Sequence, residues 1–352
     1  HTQPASPTGS VDYLIIGSGF GGSVSAHRLT EKGYRVLVLE KGRRFEPEDF
    51  PKTNWDLKRW MWNPALGLKG IFKMTFMKHM TVLHGVGVGG GSLVYANTLP
   101  TPKSEFFESG SWSGLADWET ELAPHYATAK RMLGATENPV VTKGDKVIEE
   151  IAKDIGREEH FHPTEVAVYF GEPNQKVSDP YFDGEGPDRV GCNFCGACMT
   201  GCRIGAKNTL DKNYLYLAER AGAVVIPDTR VTLVEALPES GYRVHWKRWR
   251  GFLRGHVKGT MTAEQVVFSA GVLGTVPLLM ECKERGALPG LSDQLGNVVR
   301  TNSEALLGVT SRSQRNLWEG VAIAAGLVLA LVLNASVLAP LRRLSEATRA
   351  FS

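Results

Sequence analysis

Four of the five cysteines lie in one short run, GCNFCGACMTGCRIGAKNTL. They are Cys192, Cys195, Cys198 and Cys202. Thiolates at this C-x2-C-x2-C-x3-C spacing hold a four-iron four-sulfur cluster in bacterial ferredoxins. Arg203 rather than proline follows the run, and no second run completes a two-cluster pattern. Three interpretations stay open: a 4Fe-4S cluster, a structural turn with reduced or disulfide-bonded thiols, and a zinc site, although zinc knuckles usually use two separated pairs.

The stretch VDYLIIGSGFGGSVSAHRLTEKGYRVLVLEKG, residues 11–42, is typical of a dinucleotide-binding strand-helix-strand unit. Gly17 permits the tight turn, Gly19 lets the backbone approach a pyrophosphate, and Gly22 allows the helix to pack closely on the strand. Glu40 ends the second strand, where an acid accepts hydrogen bonds from an adenosine ribose. The unit predicts a nucleotide cofactor without separating FAD from NAD.

Two later stretches carry further glycines. HGVGVGGGSLVYANTL, residues 84–99, is too apolar at its end for a flexible linker, so it predicts a loop lying flat against a large ligand. Its candidate contacts are Gly89, Gly90, Gly91, Ser92 and Asn97. VVFSAGVLGTVPLL, residues 266–279, predicts a buried strand that ends at Ala270 and Gly271, where backbone can pass close to a cofactor.

Together these stretches resemble the glucose-methanol-choline (GMC) family of FAD oxidoreductases, in its actinobacterial cholesterol oxidase-like branch. The resemblance covers about residues 11–310 and is carried by IIGSGFGGSV, the GVGGGSL and YANTL segments, the cysteine run and RTNSE at 300–304. It implies FAD as cofactor and oxidation of an alcohol. The substrate it implies is a sterol or other apolar alcohol, with oxygen or another acceptor taking the electrons.

The same resemblance implies roles for individual residues. Gly17, Gly19, Gly22 and Glu40 would hold the ADP half of FAD, Gly89 to Asn97 would lie along the pyrophosphate and isoalloxazine, and Ala270 and Gly271 would contact the cofactor from the returning strand. The family's catalytic histidine and asparagine lie near the C-terminus, and no histidine follows His256. We therefore expect a truncated chain whose catalytic residues are unknown. His84, beside the glycine loop, is more typical of a packing or hydrogen-bonding histidine than of a base.

These elements predict an α/β chain with a Rossmann-like FAD-binding domain, an incomplete α+β substrate domain and a single hydrophobic helix. The expected divisions are a disordered leader at 1–10, the FAD-binding domain at 11–100 and 203–300, a cap or substrate segment at 101–202, the start of a truncated substrate domain at 301–312, and a tail at 313–352.

The tail predicts a membrane span. Residues 320–339 carry no charge and are long enough to cross a hydrocarbon core of about 30 Å. Arg342 and Arg343 would place the C-terminus in the cytoplasm, and the residues that follow resemble the start of a HAMP linker. A junction between unrelated coding sequences would explain the tail. A membrane-anchored FAD-binding sensor, or a non-catalytic fusion fragment, is the alternative from another functional class.

Composition supports an ordinary globular chain. The 352 residues are 42% hydrophobic with a net charge of +3, which gives no strong attraction to nucleic acid. HWKRWRGFLRGHVKG, residues 245–259, is accordingly predicted to be a hairpin rather than a nucleic-acid site. Residues 55–80 interleave tryptophan, phenylalanine and methionine with lysines, which is typical of core and lid and also suits the entrance of a sterol site. Clustered rather than spaced cysteines favour a reducing compartment, so we expect a cytoplasmic or membrane-associated protein.

Overall fold

The structure is a computed structural model, and it describes residues 10–53, 55–78, 80–249 and 255–299. Its helices are α1 (Phe20–Glu31), α2 (Leu57–Trp60), α3 (Ser104–Phe107), α4 (Trp118–Met132), α5 (Lys143–Asp154), α6 (Tyr214–Arg220) and α7 (Val272–Glu284). Its strands are β1 (Val11–Ile16), β2 (Val36–Leu39), β3 (Trp62–Asn63), β4 (Leu68–Lys69), β5 (Phe72–Phe76), β6 (Thr81–Gly85), β7 (Ala135–Glu137), β8 (Glu165–Ala167), β9 (Lys176–Val177), β10 (Arg189–Val190), β11 (Val224–Ile226), β12 (Thr229–Ala236), β13 (Tyr242–Trp249) and β14 (His256–Phe268).

A six-stranded mixed sheet, in the order β11-β2-β1-β14-β13-β12, organises the chain. The first four strands run parallel, and β14, β13 and β12 form an antiparallel meander. The long β14 belongs to both parts, since its first half pairs with β13 and its second half with β1. The carboxyl ends of β1, β2 and β14 therefore meet at one edge, where ligands of open α/β sheets bind.

Both faces of the parallel strands are covered, which explains their nearly continuous apolar sequences. Leu14 and Ile16 of β1 face a core that includes Leu278 and Cys282 of α7. Ile15, between them, faces the opposite core, which includes residues of α1 and α6. Alternation along one strand thus holds helices on both sides of the sheet.

The turn between β1 and α1 depends on two glycines. Gly17 has φ +98°, a conformation that side-chain-bearing residues rarely adopt. A Cβ on Gly22 would lie 1.9 Å from the carbonyl oxygen of Gly17. The first turn of the helix therefore packs against the preceding loop at backbone distance.

The Rossmann-like α/β fold predicted from the sequence is confirmed by this parallel strand-helix-strand arrangement. The hairpin predicted at 245–259 is confirmed by the β13–β14 pairing. The division into domains stays a prediction. The predicted membrane helix at 320–339, the HAMP-like residues after it and the segment at 301–312 lie outside the described residues. Within the described ranges, no helix is both long and apolar enough to cross a membrane.

Replacing Gly22 by alanine tests the close helix-loop contact. We expect Gly22→Ala to lower the free energy of unfolding by at least about 3 kcal/mol, because the new methyl group overlaps a backbone carbonyl that cannot move independently. Gly21→Ala, one residue earlier in α1, is the matched control, because its methyl group would meet the Ser269 side chain at ordinary contact distances of 3.5 Å and 4.0 Å. There we expect no loss and up to about 1 kcal/mol of gain from helix propensity. Urea unfolding followed by circular dichroism measures both, and equal stabilities would contradict the packing argument.

Candidate functional site

The three glycine-bearing stretches converge at the carboxyl edge of the sheet. A Cβ on Gly17 would lie 2.6 Å from the carbonyl oxygen of Ser269, at the end of β14. A Cβ on Gly90 would lie 2.7 Å from the Cα of Gly19. Segments far apart in sequence thus approach at backbone contact, so the structure brings together the positions that the sequence assigned to one ligand.

The N-terminus of α1 opens onto this junction. Gly19 caps the helix in an extended conformation, and no side chain of the described residues caps its first-turn amides. Apart from neighbouring backbone, no heavy atom of the described residues lies within 4 Å of the position that a Cβ on Gly19 would occupy. An uncapped helix N-terminus beside open space is a site for an anion such as a phosphate.

Glu40 is buried and holds the two loops together. Its Oε2 accepts hydrogen bonds from the Ser18 backbone amide (3.0 Å) and hydroxyl (2.8 Å), and its Oε1 accepts from the Gly42 amide (2.8 Å). Ser18 in turn accepts from the Gly89 amide at 3.2 Å. The sequence analysis did not single out Ser18, although a polar residue inside the first glycine turn is a signal for such a role.

Ser92 fixes the second glycine loop from within. It is fully buried, its hydroxyl donates to the Gly89 carbonyl at 2.7 Å, and it accepts from the Leu210 amide at 3.0 Å. Both the donor and an acceptor of the hydroxyl are therefore used inside the protein. Ser92 therefore fixes the shape of the loop that contains Gly89, Gly90 and Gly91. The backbone of this loop, rather than the Ser92 side chain, is available to contact a ligand.

The returning strand delivers a second helix N-terminus. Gly271 caps α7 with φ +68°, and no side chain caps that helix. Ala270 precedes it, and its amide donates to the Thr275 hydroxyl. The Cα of Ala270 lies 2.8 Å from the position that a Cβ on Gly17 would occupy. The candidate positions Ala270 and Gly271 therefore lie beside Gly17.

Asn97 lies at the far end of the glycine loop and is 3% exposed. Its backbone has φ +69°, and its side-chain oxygen is buried without a hydrogen-bond partner among the described residues. Within the same part of the chain, the nearby Tyr95 hydroxyl is also buried without a partner, and burial raises the pKa of this phenol. Because buried polar atoms normally find partners, these two atoms mark a surface that a polar ligand would complete.

The four cysteines of the run are not grouped as a metal site among the described residues. All five cysteines are free thiols. Burial raises the pKa of the Cys192 and Cys198 thiols. Among the residues that the structure describes, no group of three or more cysteine, histidine, aspartate or glutamate side chains could hold a metal ion. The 4Fe-4S ligand set expected from spacing alone is therefore not supported by the tertiary arrangement.

Lys207 is buried directly beside this run, a position that the sequence did not predict. Its side chain is 1% exposed, and burial lowers the pKa of its ammonium to about 7. The ammonium donates to the carbonyls of Leu93 (3.2 Å), Tyr95 (2.7 Å) and Cys198 (3.0 Å). A lysine five residues after the last cysteine was the only sequence signal for this contact.

Comparison with known proteins identifies the family to which the chain is related. Residues 15–45 match the NAD(P)-binding Rossmann-like domain, and residues 186–283 match GMC oxidoreductase. A cholesterol oxidase of Mycobacterium tuberculosis is 51% identical over 320 residues, which cover 89% of this chain and 55% of the relative. The chain belongs to the GMC oxidoreductase family.

Two further relatives are similar at lower identity. A cholesterol oxidase of Acinetobacter baumannii is 49% identical over 85% of this chain and 55% of its own. A long-chain-alcohol oxidase of Arabidopsis thaliana is 29% identical over 76% of this chain and 34% of its own. The chain thus spans about half the length of the cholesterol oxidases that it matches.

His84, the histidine next to the glycine loop, lies opposite Lys73 in the β5–β6 hairpin and near Lys41. Burial and the neighbouring Lys41 ammonium lower the pKa of His84 to about 4, and burial lowers the pKa of Lys41 to about 8. His84 is therefore neutral at pH 7, and its Nδ1 donates to the Gly85 carbonyl at 3.3 Å. Since Lys41 follows Glu40, this histidine belongs to the Glu40 end of the site.

Replacing Glu40 by glutamine tests the buried network. An amide NH2 would face either the Ser18 or the Gly42 amide, so a buried donor would lose its acceptor. We expect Glu40→Gln to lower the free energy of unfolding by about 1–3 kcal/mol. The control Glu31→Gln removes a half-exposed carboxylate paired with Arg28, and should change stability by less than about 0.5 kcal/mol. Guanidinium unfolding of both variants gives the comparison, and a stable Glu40→Gln protein would contradict the network.

Proposed function

We propose that the chain binds FAD across the three converging glycine stretches and carries the cofactor-binding part of an alcohol oxidoreductase. The proposed substrate class is a 3-hydroxysteroid such as cholesterol, with oxygen as the electron acceptor. The observation that carries the proposal is the backbone convergence of residues 17–19, 87–91 and 269–271 in a GMC chain. FAD, when bound, supplies the group that accepts a hydride from the carbinol carbon.

The α1 end of the site suits the ADP half of FAD. The uncapped first-turn amides of α1 offer donors to a pyrophosphate, and the space beside Gly19 admits it at backbone distance. Glu40 Oε1 accepts one hydrogen bond and Oε2 accepts two, and a carboxylate has about four lone-pair sites. A ribose hydroxyl can therefore still donate to it. Gly17 and Gly22 support the site by allowing the loop and helix to pack.

The second half of the proposed site runs along Gly89, Gly90, Gly91, Ser92 and Asn97. This loop presents backbone rather than side chains, which suits a flat ring system. The unpartnered oxygen of Asn97 is an acceptor for a ring N–H. Ala270 and Gly271 add a second uncapped helix N-terminus, which favours negative charge on the bound group.

These residues bind and orient the cofactor, and none of them is proposed as the base that takes the hydroxyl proton. His84 is a poor candidate, because the same burial that lowers its pKa to about 4 makes it a weak base. The catalytic residues therefore remain unassigned. The proposal concerns cofactor binding by this chain and the class of alcohol oxidised.

Two observations support an apolar alcohol as substrate. The relatives named above are a pair of cholesterol oxidases and a long-chain-alcohol oxidase. The segment at 55–83 also exposes large apolar side chains, namely Trp55, Leu57, Leu66, Phe76, Met77, Met80 and Leu83. A surface of this kind suits contact with an apolar ligand or with further protein.

Anaerobic titration tests the activity. The purified protein is reconstituted with FAD and mixed with cholesterol in detergent, and the visible flavin absorbance is followed. We expect cholesterol to bleach the flavin band, since hydride transfer reduces the ring. The same steroid without its hydroxyl group is the control and should leave the band unchanged. A bound flavin that no sterol or long-chain alcohol reduces would contradict the proposed activity while leaving cofactor binding intact.

Replacing Gly19 by alanine tests the cofactor site separately from the fold. Gly19 has extended backbone angles and open space around its Cβ position, so alanine should fold normally there. The added methyl group would occupy the proposed pyrophosphate position, and we expect FAD affinity to fall at least about tenfold. Gly290→Ala, also in open space and without a positive φ, should bind FAD as the original protein does. Flavin fluorescence quenching measures both, and unchanged binding by Gly19→Ala would argue against this site.

A further inference from the structure

We propose that Lys207 is a positioning residue that clamps residues 93–95, part of the wall on which the proposed FAD site depends. The expected effect on FAD binding rests on the proposed function, whereas the clamp itself does not require a bound cofactor. It also gives the cysteine run a role that requires neither a metal nor a disulfide.

Lys207 joins two segments that are about one hundred residues apart in sequence. Its ammonium has three N–H donors, and each has a carbonyl: Leu93 and Tyr95 in the loop, and Cys198 in the run. The ammonium also lies 4.6 Å from the centre of the Tyr95 ring. The donor capacity of the side chain is therefore fully used in joining the run to the loop.

Packing alone does not explain a lysine at this position. Burying an ammonium is unfavourable compared with burying an apolar side chain of similar length, such as methionine. The ammonium orients the backbone around it, because three carbonyl oxygens must point at one nitrogen. The position of the Leu93 and Tyr95 backbone is thereby fixed relative to Cys198.

Cys198 takes part in the clamp through its backbone carbonyl, which accepts from the Lys207 ammonium at 3.0 Å. Asn97 follows the clamped Tyr95 by two residues, so a fixed Tyr95 backbone also limits where the Asn97 side chain can lie.

The remaining cysteines separate into distinct roles. Cys202 Sγ accepts the Lys207 backbone amide at 3.4 Å, which ties the run to the lysine itself. Cys192 Sγ accepts the Phe194 amide at 3.4 Å, inside the turn. Cys195 is exposed, and no hydrogen bond to its thiol occurs within the described part of the chain. The clamp therefore predicts that the Lys207 side chain is required for an ordered loop and that the exposed Cys195 thiol is not.

Hydrogen-deuterium exchange of the FAD-free protein tests the clamp directly. The Val94 and Tyr95 amides both donate to the Gly91 carbonyl, so they report the order of the loop. We expect Lys207→Met to speed exchange at these amides at least about tenfold, because three hydrogen bonds to the loop and the run are lost.

Matched controls come from the same segment. Lys212→Met removes a lysine whose ammonium donates to the Gly205 carbonyl, within its own segment. Cys195→Ala removes the exposed thiol. Neither should change exchange at Val94 and Tyr95 by more than about twofold. Two results would overturn the proposal: Lys207→Met raises exchange no more than Lys212→Met does, or it raises exchange equally throughout the sheet. Either result would mean that Lys207 contributes only to general stability.

FAD binding gives the functional readout. We expect Lys207→Met to weaken FAD binding at least about tenfold and to shift the visible spectrum of bound flavin. Faster exchange with unchanged FAD affinity and spectrum would overturn the link to the cofactor site. If the original protein binds no FAD, the proposed function fails, and the exchange experiment still decides whether the clamp exists.

Discussion

Backbone-to-backbone contact between glycines is the constraint on which the rest of the site depends. The loop after β1, the loop before Ser92 and the end of β14 approach more closely than any Cβ would allow. Dispersion attraction and shared hydrogen bonds become available at such distances only because side chains are missing. The result is a concave surface of amides and carbonyls at the carboxyl edge of the sheet, with two uncapped helix N-termini directed toward it.

Glycine contacts bring segments together without fixing their orientation, and the buried polar side chains provide it. Ser18 and Glu40 connect the first loop to the second by hydrogen bonds of 2.8–3.2 Å. Ser92 sets the shape of the second loop from below. Such networks are favourable only when almost every member is satisfied. The atoms left unsatisfied, such as the Asn97 oxygen, consequently stand out as points where a ligand would bind.

The cysteine run shows how spacing and tertiary environment can disagree. Four thiols in eleven residues match a ferredoxin pattern, yet a cluster needs thiolates converging on one point. Here the Cys192 and Cys202 sulfurs accept hydrogen bonds from backbone amides, and no three metal-ligating side chains of the described residues are grouped to hold a metal ion. A sulfur that accepts a hydrogen bond inside a turn serves as a weakly polar packing group. These contacts therefore favour the structural turn with reduced thiols, which the spacing alone left open beside the cluster.

The sequence by itself determined the strand-helix-strand unit, the glycine positions and the acid at the end of β2, because the glycine spacing and the alternating apolar residues are local properties of the chain. It also carried the family resemblance that comparison then supported. Only the tertiary structure decided which distant segments meet, since the contact of Gly90 with Gly19 depends on the whole sheet. Lys207 is the clearest case. A lysine in a polar-looking run is normally exposed, and its burial against three carbonyls exists only because folding places residues 93–95 and 198 around it.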